Sequence, residues 1–309
     1  MSSSHPETRT QQSAEYRQQC PALVVQQMDS PVRVVSPALP QGTGARVWPS
    51  PVVVSSPHSG RHYPAQFLDQ SVLPLEDLRK VEDAGVDCLL TFQPLPAPLI
   101  IADFPRSFVD VNRNNDEVDP RMFDGPITDI SPTLTRYLRS GLGMIPRKAA
   151  NQQDIYDTTL PADEADFRRQ RFYRPFHDTL SSLLTTASAD GPALLIDCHS
   201  MPSGLFGVDA DIVIGTNHGS SADADVVHLA LDYFAREGLS VKLNTPFSGG
   251  YLTRHYGRPN KGVSALQIEI CRSRYLHEDT VTLKDDWQGL ASILTRFVMR
   301  MDEYMLRQR

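Results

Sequence analysis

The sequence predicts an α/β fold, with a mixed and mostly parallel β-sheet that is covered by helices on both faces. Short runs of apolar and β-branched residues alternate along the chain with longer segments of helical periodicity. This alternation is typical of β-α-β units, which build parallel sheets. Several of the apolar runs lack the polar alternation of a half-exposed strand, which indicates burial on both faces. Polar residues follow several of these runs, at the edge where α/β sheets bind ligands.

Three strands and one helix are predicted in the first half of the chain. Pro51–Ser56 is rich in β-branched residues and stops at a Pro-His-Ser-Gly turn, so we predict a buried strand. Leu75–Phe92 repeats leucine and valine at helical spacing, which predicts a helix. Pro98–Asp103 and Phe108–Val111 are two further short apolar runs that we predict to be strands.

The second half begins with a strongly amphipathic segment, Ala165–Thr186, whose phenylalanines and leucines form one apolar stripe. Asp190 and Gly191 then break the helix, and Ala193–Cys198 follows as an apolar strand. The remaining predicted elements are the strands Asp211–Gly215, Ser240–Leu243 and Ser264–Ile270 and the helices Ala222–Glu237 and Leu283–Arg307.

Composition divides the 309 residues into two parts. Residues 1–45 are polar and rich in Ser, Gln and Pro, so we predict a disordered or loosely packed N-terminal arm. Within it, VVQQM and VRVV are candidate short strands. Residues 46–309 carry the alternating pattern and are predicted to form a single α/β domain, which is long enough to bury a large core.

Charge and hydropathy exclude several classes of partner. The net charge is −7 and no run of Lys or Arg interleaves with aromatic residues, so we predict no nucleic-acid binding. No segment approaches the ~20 apolar residues of a membrane span, and the N-terminus lacks the apolar core of a secretory signal. The four cysteines form no C-x-x-C pair. We therefore predict a cytoplasmic protein that does not associate with membranes.

Two histidines stand at the ends of predicted strands, His58 in SSPHSGRHYP and His199 in IDCHSMPSG. A single such histidine is more often an ordinary surface or core residue. Because parallel strands bring their carboxyl ends to one edge of the sheet, we expect these two to lie together. Imidazole is a preferred zinc ligand, so the pair predicts a metal centre. Asp197 lies on the same face as His199 and either accepts its ring N–H or caps the following turn.

A metal centre of this kind needs a third protein ligand. The candidates are Glu82 and Asp83 in KVEDAGVD, and His62. Adjacent residues on a helix point about 100° apart, so only one of the two acids can face the metal. We favour Asp83, since Glu82 fits the polar face of the predicted helix.

The segment RSFVDVNRNND supplies candidate substrate-binding groups. Arg113, directly after a predicted strand, is suited to bind a carboxylate through two hydrogen bonds. Asn112 can donate an amide hydrogen to the same group. Arg106 is a candidate second anion contact or a catalytic residue that polarises the scissile carbonyl; the alternative is a surface ion pair.

Glu269 lies in the otherwise apolar strand of ALQIEICRSRYL. A carboxylate buried in such a strand is costly unless it is paired or functional, and burial raises its pKa. A raised pKa suits a general base that takes a proton from water, so we predict a catalytic role. The alternative is a structural pair with Arg272 or Arg274.

The segment FSGGYLTRHYGRP is predicted to be a mobile loop over the substrate. Gly249, Gly250 and His255 are the candidate substrate-binding residues in it. The alternative is that the glycines mark only a hairpin turn.

The motifs PHSGRHYP, VEDAGVD, PRSFVDVNRN, DCHSM and LQIEI, in this order, resemble the N-formylglutamate amidohydrolase family. That family is similar to the zinc carboxypeptidases and the aspartoacylase-like deacylases. The resemblance implies the zinc-carboxypeptidase-like (phosphorylase/hydrolase-like) α/β fold. It also implies that His58 and His199 bind the metal, that Asn112 and Arg113 bind the substrate α-carboxylate, and that Glu269 is the base. Arg61 stands where the carboxypeptidase pattern has a ligand glutamate.

The resemblance further implies the zinc-dependent hydrolysis of N-formyl-L-glutamate to formate and L-glutamate, a step of histidine degradation. A small N-acyl amino acid is thus the expected substrate. Two alternatives remain at this stage: a deacylase for another N-acyl amino acid, and a catalytically inactive protein that binds acidic ligands.

Overall fold

A computed structural model of the protein describes residues 30–37, 50–131, 133–149 and 152–309. Its main feature is a seven-stranded sheet with the order β1-β3-β2-β4-β7-β5-β6. A separate two-stranded ribbon pairs β8 with β9. The strands are β1 Val32–Val35, β2 Val52–Ser56, β3 Leu99–Ala102, β4 Ala193–Met201, β5 Ile212–Gly215, β6 Val241–Leu243, β7 Val263–Cys271, β8 Leu276–His277 and β9 Thr282–Leu283.

The helices lie between β2 and β3, between β3 and β4, on either side of β6, and after β9. The two longest pack against opposite sides of the sheet. The helices are α1 Ala65–Gln70, α2 Leu75–Arg79, α3 Val86–Thr91, α4 Arg136–Arg139, α5 Asp163–Arg168, α6 Arg174–Ala187, α7 Ala224–Arg236, α8 Tyr251–Tyr256 and α9 Trp287–Leu306.

The sheet is mixed and mostly parallel. The pairs β3-β2, β2-β4, β4-β7 and β5-β6 are parallel, whereas β1 and β5 run antiparallel to their neighbours β3 and β7. The central strands β2 and β4 are buried along their whole lengths. This burial explains why their sequences lack polar alternation.

Each face of the sheet carries its own hydrophobic core. On one face, residues such as Val54 and Ile196 belong to the same core as the apolar sides of α3, α7 and α9. On the other face, Val53 and Leu195 belong to a core that includes α1 and α6. Successive strand residues point to opposite faces, so each strand contributes to both cores. The predicted α/β class, with a sheet covered on both faces, is confirmed.

The prediction of a strand over Phe108–Val111 is wrong. The N–H groups of Phe108 and Val109 both donate to the carbonyl of Pro105, over 3.0 and 3.3 Å, so the segment forms a turn after β3. Phe108, Val109 and Val111 are nevertheless buried in one core. The apolar pattern therefore reflects burial without a neighbouring strand to pair with.

The predicted helix over Leu75–Phe92 is two short helices, α2 and α3. Between them Gly85 has a φ of +77°, a left-handed conformation that glycine adopts without strain. The interruption turns the chain and places Asp83 outside any helix. The helix predicted over Ala165–Thr186 is present as α5 and α6, joined by a π-helical turn over Arg169–Tyr173.

The sheet also begins earlier than the sequence suggests. VRVV forms the edge strand β1 and pairs with β3, so this part of the predicted N-terminal arm is packed. The other candidate strand, VVQQM, lies outside the described residues. The division into an arm and one domain stays a prediction. In the part of the chain that the structure describes, no helix is long and apolar enough to span a membrane.

Candidate metal centre and active site

Three buried side chains meet at the carboxyl edge of the parallel strands, those of His58, Asp83 and His199. His58 lies two residues after the end of β2. His199 lies within β4, and not just past it as predicted, because β4 continues to Met201 while it pairs with β7. Asp83 is held beside them by its backbone N–H, which donates to the carbonyl of His58 over 2.9 Å.

The three side chains direct one atom each to a common point. Nδ1 of His199 is 3.1 Å from Nδ1 of His58 and 3.1 Å from Oδ2 of Asp83. Nδ1 of His58 is 3.4 Å from the same Oδ2. Ligand atoms of a tetrahedral zinc ion, with bonds of about 2.0–2.1 Å, lie about 3.3 Å apart. The spacing therefore fits a small divalent cation.

The opposite nitrogen of each ring is bound to a buried aspartate. Nε2 of His58 is 2.8 Å from Oδ1 of Asp110, and Nε2 of His199 is 2.8 Å from Oδ2 of Asp197. An ionised carboxylate only accepts hydrogen bonds, so each Nε2 carries the hydrogen and each Nδ1 has a free lone pair. Two lone pairs and a carboxylate oxygen then face one another, an arrangement that a cation stabilises. Aspartate partners of this kind commonly orient metal-binding histidines.

Further hydrogen bonds hold Asp197 and Asp83 in place. The Ser55 hydroxyl donates to Asp197 over 2.6 Å. Arg272 and the Ser200 hydroxyl both donate to Oδ1 of Asp83, each over 3.2 Å, and leave its Oδ2 directed at the histidines. The prediction that Asp197 accepts the ring N–H of His199 is confirmed.

The charged groups of the site shift one another's pKa values. Burial opposes ionisation of Asp83, but hydrogen bonds from His199 and His58 hold its pKa well below the usual value. Burial also opposes a charge on His199, whereas Asp197 and Asp83 raise its pKa well above the usual value. The cluster thus attracts positive charge, which in the absence of a metal is a proton.

The structure separates the three candidates for the third ligand. Asp83 faces the histidines, whereas the neighbouring Glu82 turns away and accepts a hydrogen bond from the Tyr63 hydroxyl over 2.6 Å. His62 is partly exposed and does not belong to the cluster. Arg61, which stands where a ligand glutamate was expected, pairs with Asp87.

Glu269 lies beside the cluster on β7, directly opposite His199 in the parallel ladder. Its carboxylate accepts a hydrogen bond from Nε2 of Gln267 over 2.8 Å. Burial raises the pKa of Glu269 to about 7, although the nearby charge of His199 lowers it. A pKa close to neutrality suits a group that both accepts and returns a proton. The alternative, a structural pair of Glu269 with Arg272 or Arg274, is not formed, since these arginines contact Asp83 and Asp211.

A cavity of about 800 Å³ opens onto these residues. Its size is that of a small-molecule binding site. The cavity brings together most of the site residues that the sequence predicts. Those in its wall include His58, His199, Glu269, Arg106, Asn112 and Arg113.

Arg106 and Arg113 line the cavity on either side of Asp110. Arg106 donates to Oδ2 of Asp110 over 2.9 Å, and Arg113 lies 3.7 Å from the same oxygen. Arg113 also donates to the carbonyls of Asn112 and Leu142, which fixes its guanidinium against the wall. Despite burial, the charges of Arg113 and His58 hold the pKa of Asp110 well below its usual value.

The predicted loop over the substrate is part of the cavity wall. Gly249 and Gly250 line the cavity, and the N–H of Gly250 donates to Gln267 over 2.7 Å. A Cβ atom at Gly250 would lie 2.2 Å from the Asn112 amide, so only glycine allows this close packing. His255 is not among the cavity-lining residues that the structure describes, and its ring stacks on Tyr251 instead.

Sequence reasoning missed Asp110 and Gln267, which contact a candidate ligand and the candidate base. The strand predicted over Phe108–Val111 assigns no role to Asp110. The sequence feature that could have identified Asp110 is the one that identified Glu269. Both are carboxylates among apolar residues, and such a group has to be paired once it is buried. Gln267 precedes Glu269 by two residues and therefore shares its face of β7.

Neutralising Asp110 tests whether it supports the metal centre through His58. We expect Asp110→Asn to weaken metal affinity about 10- to 100-fold, the usual effect of losing such a partner. Competition with a chelator of known affinity measures this change in the purified protein. Asp119→Asn is a matched control, because Asp119 is also buried but pairs with Arg121 away from the cavity. If the two variants bind the metal with equal affinity, Asp110 does not support the metal centre.

The fold and the site together define a class of protein. Two histidines and an aspartate able to hold a divalent metal lie beside a buried glutamate, in a cavity at the carboxyl edge of an α/β sheet. This is the arrangement of a hydrolase that activates water with a metal and a general base.

Comparison with known proteins identifies the family. A sequence model of N-formylglutamate amidohydrolase matches residues 50–276, and the chain belongs to this family. The chain is 32% identical to the N-formylglutamate deformylase of Pseudomonas aeruginosa in an alignment of 240 residues that covers 74% of this chain and 83% of that protein. It is 29% identical to the N-formylglutamate deformylase of Pseudomonas putida in an alignment of 248 residues that covers 76% of this chain and 86% of the relative.

A solved structure supports the same assignment. The N-formylglutamate amidohydrolase of Ralstonia eutropha JMP134 superposes with a TM-score of 0.80 at 33% identity, over 90% of this chain and 99% of that one. The predicted family resemblance is confirmed, and the chain is a hydrolase with a small-molecule substrate. A gene product of Agrobacterium tumefaciens, 18% identical, has the same fold with a TM-score of 0.62, over 90% of this chain and 94% of that one.

Proposed function

We propose that this protein hydrolyses N-formyl-L-glutamate to formate and L-glutamate, with a zinc ion held by His58, Asp83 and His199. The observation that carries the metal assignment is the convergence of three ligand atoms at 3.1–3.4 Å from one another. The substrate assignment rests on family membership. We further propose that the enzyme is cytoplasmic and takes part in histidine degradation.

The ligand set favours zinc over larger or harder cations. Two imidazoles and one carboxylate leave a fourth position for water or substrate, the usual form of a catalytic zinc site. Calcium and magnesium prefer sites made almost entirely of oxygen ligands. When bound, the ion would polarise the formyl carbonyl and lower the pKa of a water molecule towards 7.

The protein's own residues have separate roles in the proposed reaction. Glu269 takes a proton from the attacking water and delivers it to the amide nitrogen as the C–N bond breaks, which releases formate and the amine of glutamate. Arg106 donates hydrogen bonds to the developing negative charge on the formyl oxygen. Asn112 and Arg113 bind the α-carboxylate and thereby position the amide. Gly249 and Gly250 form the wall that limits the size of the acyl amino acid.

Formate release from purified protein tests the proposed reaction. We expect turnover of N-formyl-L-glutamate that is lost on dialysis against a chelator and restored by zinc. Release of L-glutamate from N-acetyl-L-glutamate, measured in parallel, separates deformylation from general deacylation. Formate release from N-formyl-L-glutamine measures the preference for an acidic side chain. Failure to release formate from N-formyl-L-glutamate in the metal-loaded enzyme would overturn the proposed function.

Replacing Arg113 tests the α-carboxylate contact. Lysine keeps the charge but loses the planar pair of donors, so we expect Arg113→Lys to raise KM for N-formyl-L-glutamate at least about tenfold, with a smaller change in kcat. Steady-state kinetics of formate release measures both constants. Arg121→Lys is the control, since Arg121 pairs with Asp119 and does not line the cavity. An unchanged KM for Arg113→Lys would refute the contact.

A further inference from the structure

The substrate proposed above has two carboxylates. Several cationic side chains besides Arg113 line the cavity. Most of them already have an acidic partner. Lys80 pairs with Asp77, Arg106 with Asp110, Lys148 with Asp154 and Arg272 with Asp83. These pairs hold the cations in place and reduce their attraction for a ligand.

Arg136 differs from these cations. It lines the cavity from the first position of α4, and its side chain is exposed. Within the described part of the chain, no carboxylate lies at ion-pair distance from its guanidinium. Its only close polar partner there is the neutral Tyr137 hydroxyl, to which it donates over 2.8 Å. Arg136 therefore retains its charge and most of its N–H donors for binding an anion.

Tyr137 contacts both Arg136 and Arg113, the residue proposed to bind the α-carboxylate. The guanidinium carbon of Arg113 lies 4.2 Å from the centroid of the Tyr137 ring, and that of Arg136 lies 4.7 Å from the same centroid. Contacts of this type stabilise a cation against an aromatic ring and restrict its movement. One tyrosine thus holds two arginines in a fixed relation to each other.

The separation of the two arginines suits a dicarboxylate. Because each guanidinium carbon is within 4.7 Å of one centroid, the two can be no further apart than twice that distance. The two carboxylate carbons of glutamate are joined by four single bonds of about 1.5 Å and lie about 5 Å apart when extended. With each carboxylate about 4 Å from its guanidinium carbon, one glutamyl group can reach both arginines.

We propose that Arg136 binds the side-chain carboxylate of the substrate while Arg113 binds the α-carboxylate, and that Arg136 thereby selects acidic N-formyl amino acids. This role rests on the proposed function, since it concerns the same cavity and reaction. It adds a specificity-determining residue that acts on binding and not on the chemical step. Tyr137 is the positioning residue that holds both guanidinium groups.

The test compares an acidic substrate with its neutral isostere. We expect Arg136→Gln to lower kcat/KM for N-formyl-L-glutamate about 10- to 100-fold, mainly through KM, since a hydrogen bond to a charged group is lost. For N-formyl-L-glutamine the same substitution should change kcat/KM less than about twofold. Arg136→Lys keeps the charge and should recover part of the preference. Arg139→Gln on the same helix is the control, because Arg139 is exposed and does not line the cavity.

Each result has a distinct meaning. If the wild-type enzyme does not hydrolyse N-formyl-L-glutamate, the proposed function fails before Arg136 is tested. If the wild type is active and Arg136→Gln leaves the ratio of the two kcat/KM values unchanged, Arg136 does not select the side chain. An equal loss for both substrates, with normal zinc content, would likewise overturn the specificity role.

Discussion

Glu269→Gln is expected to abolish turnover while the metal remains bound. Glutamine has the same shape and can still interact with Gln267, but it cannot accept a proton from water. General base catalysis contributes about 10²- to 10⁴-fold, so we expect kcat to fall by about the same factor. Formate release and metal analysis on the same preparation measure both properties. Glu269 does not belong to the three-residue cluster, so metal content should equal that of the wild type.

Glu303→Gln is the control for this experiment. Glu303 lies on α9, its only described ion pair is with Arg300, and it does not line the cavity. Its neutralisation should leave kcat unchanged. A Glu269→Gln enzyme that retains more than about a tenth of wild-type kcat would exclude Glu269 as the base. Loss of metal in that variant would instead make Glu269 a ligand.

Asp83→Asn is expected to remove the metal, whereas Glu82→Gln should retain it. The two acids are adjacent in sequence and each is about 1% exposed, so they form a closely matched pair. Asparagine at position 83 removes the only carboxylate of the cluster and leaves Arg272 without its buried partner. We expect at least a 100-fold loss of metal affinity and, with it, the loss of formate release. Elemental analysis after gel filtration gives the metal stoichiometry of both variants.

Glu82→Gln preserves the acceptor for the Tyr63 hydroxyl, and burial already raises the pKa of Glu82. Neutralising this residue should therefore disturb the fold little. Full metal content in Asp83→Asn would contradict the proposed ligand set. Loss of metal in Glu82→Gln alone would instead favour Glu82 as the third ligand.

The sequence predicts the candidate metal ligands and the candidate base better than it predicts the residues proposed to contact the substrate. His58, His199 and Glu269 belong to buried strands or follow them, and the topology of parallel strands brings such residues to one edge. Their convergence could therefore be predicted without knowing the order of the strands. The preference for Asp83 rests on a helical geometry that the structure does not have, because α2 ends at Arg79 and α3 begins after Gly85, which leaves Asp83 in the turn between them.

Three of the residues that sequence reasoning missed share a physical cause. Asp110, Arg136 and Tyr137 lie in the long connection between β3 and β4, where helices are short and much of the chain is irregular. Irregular segments have no periodicity from which the direction of a side chain can be predicted. Their positions depend on tertiary contacts, such as the N–H of Asp110 that donates to the carbonyl of Met144 over 2.8 Å.

The ladder between β4 and β7 has a consequence for how this enzyme can change. His199 and Glu269 are register partners on adjacent parallel strands at the centre of the sheet, so their spacing is set by backbone pairing at about 4.8 Å. Arg136 and Tyr137, in contrast, belong to a surface connection that tolerates substitution and insertion. Under the proposed function, substitutions at Arg136 and Tyr137 can therefore alter which N-formyl amino acid is bound without changing the spacing between His199 and Glu269.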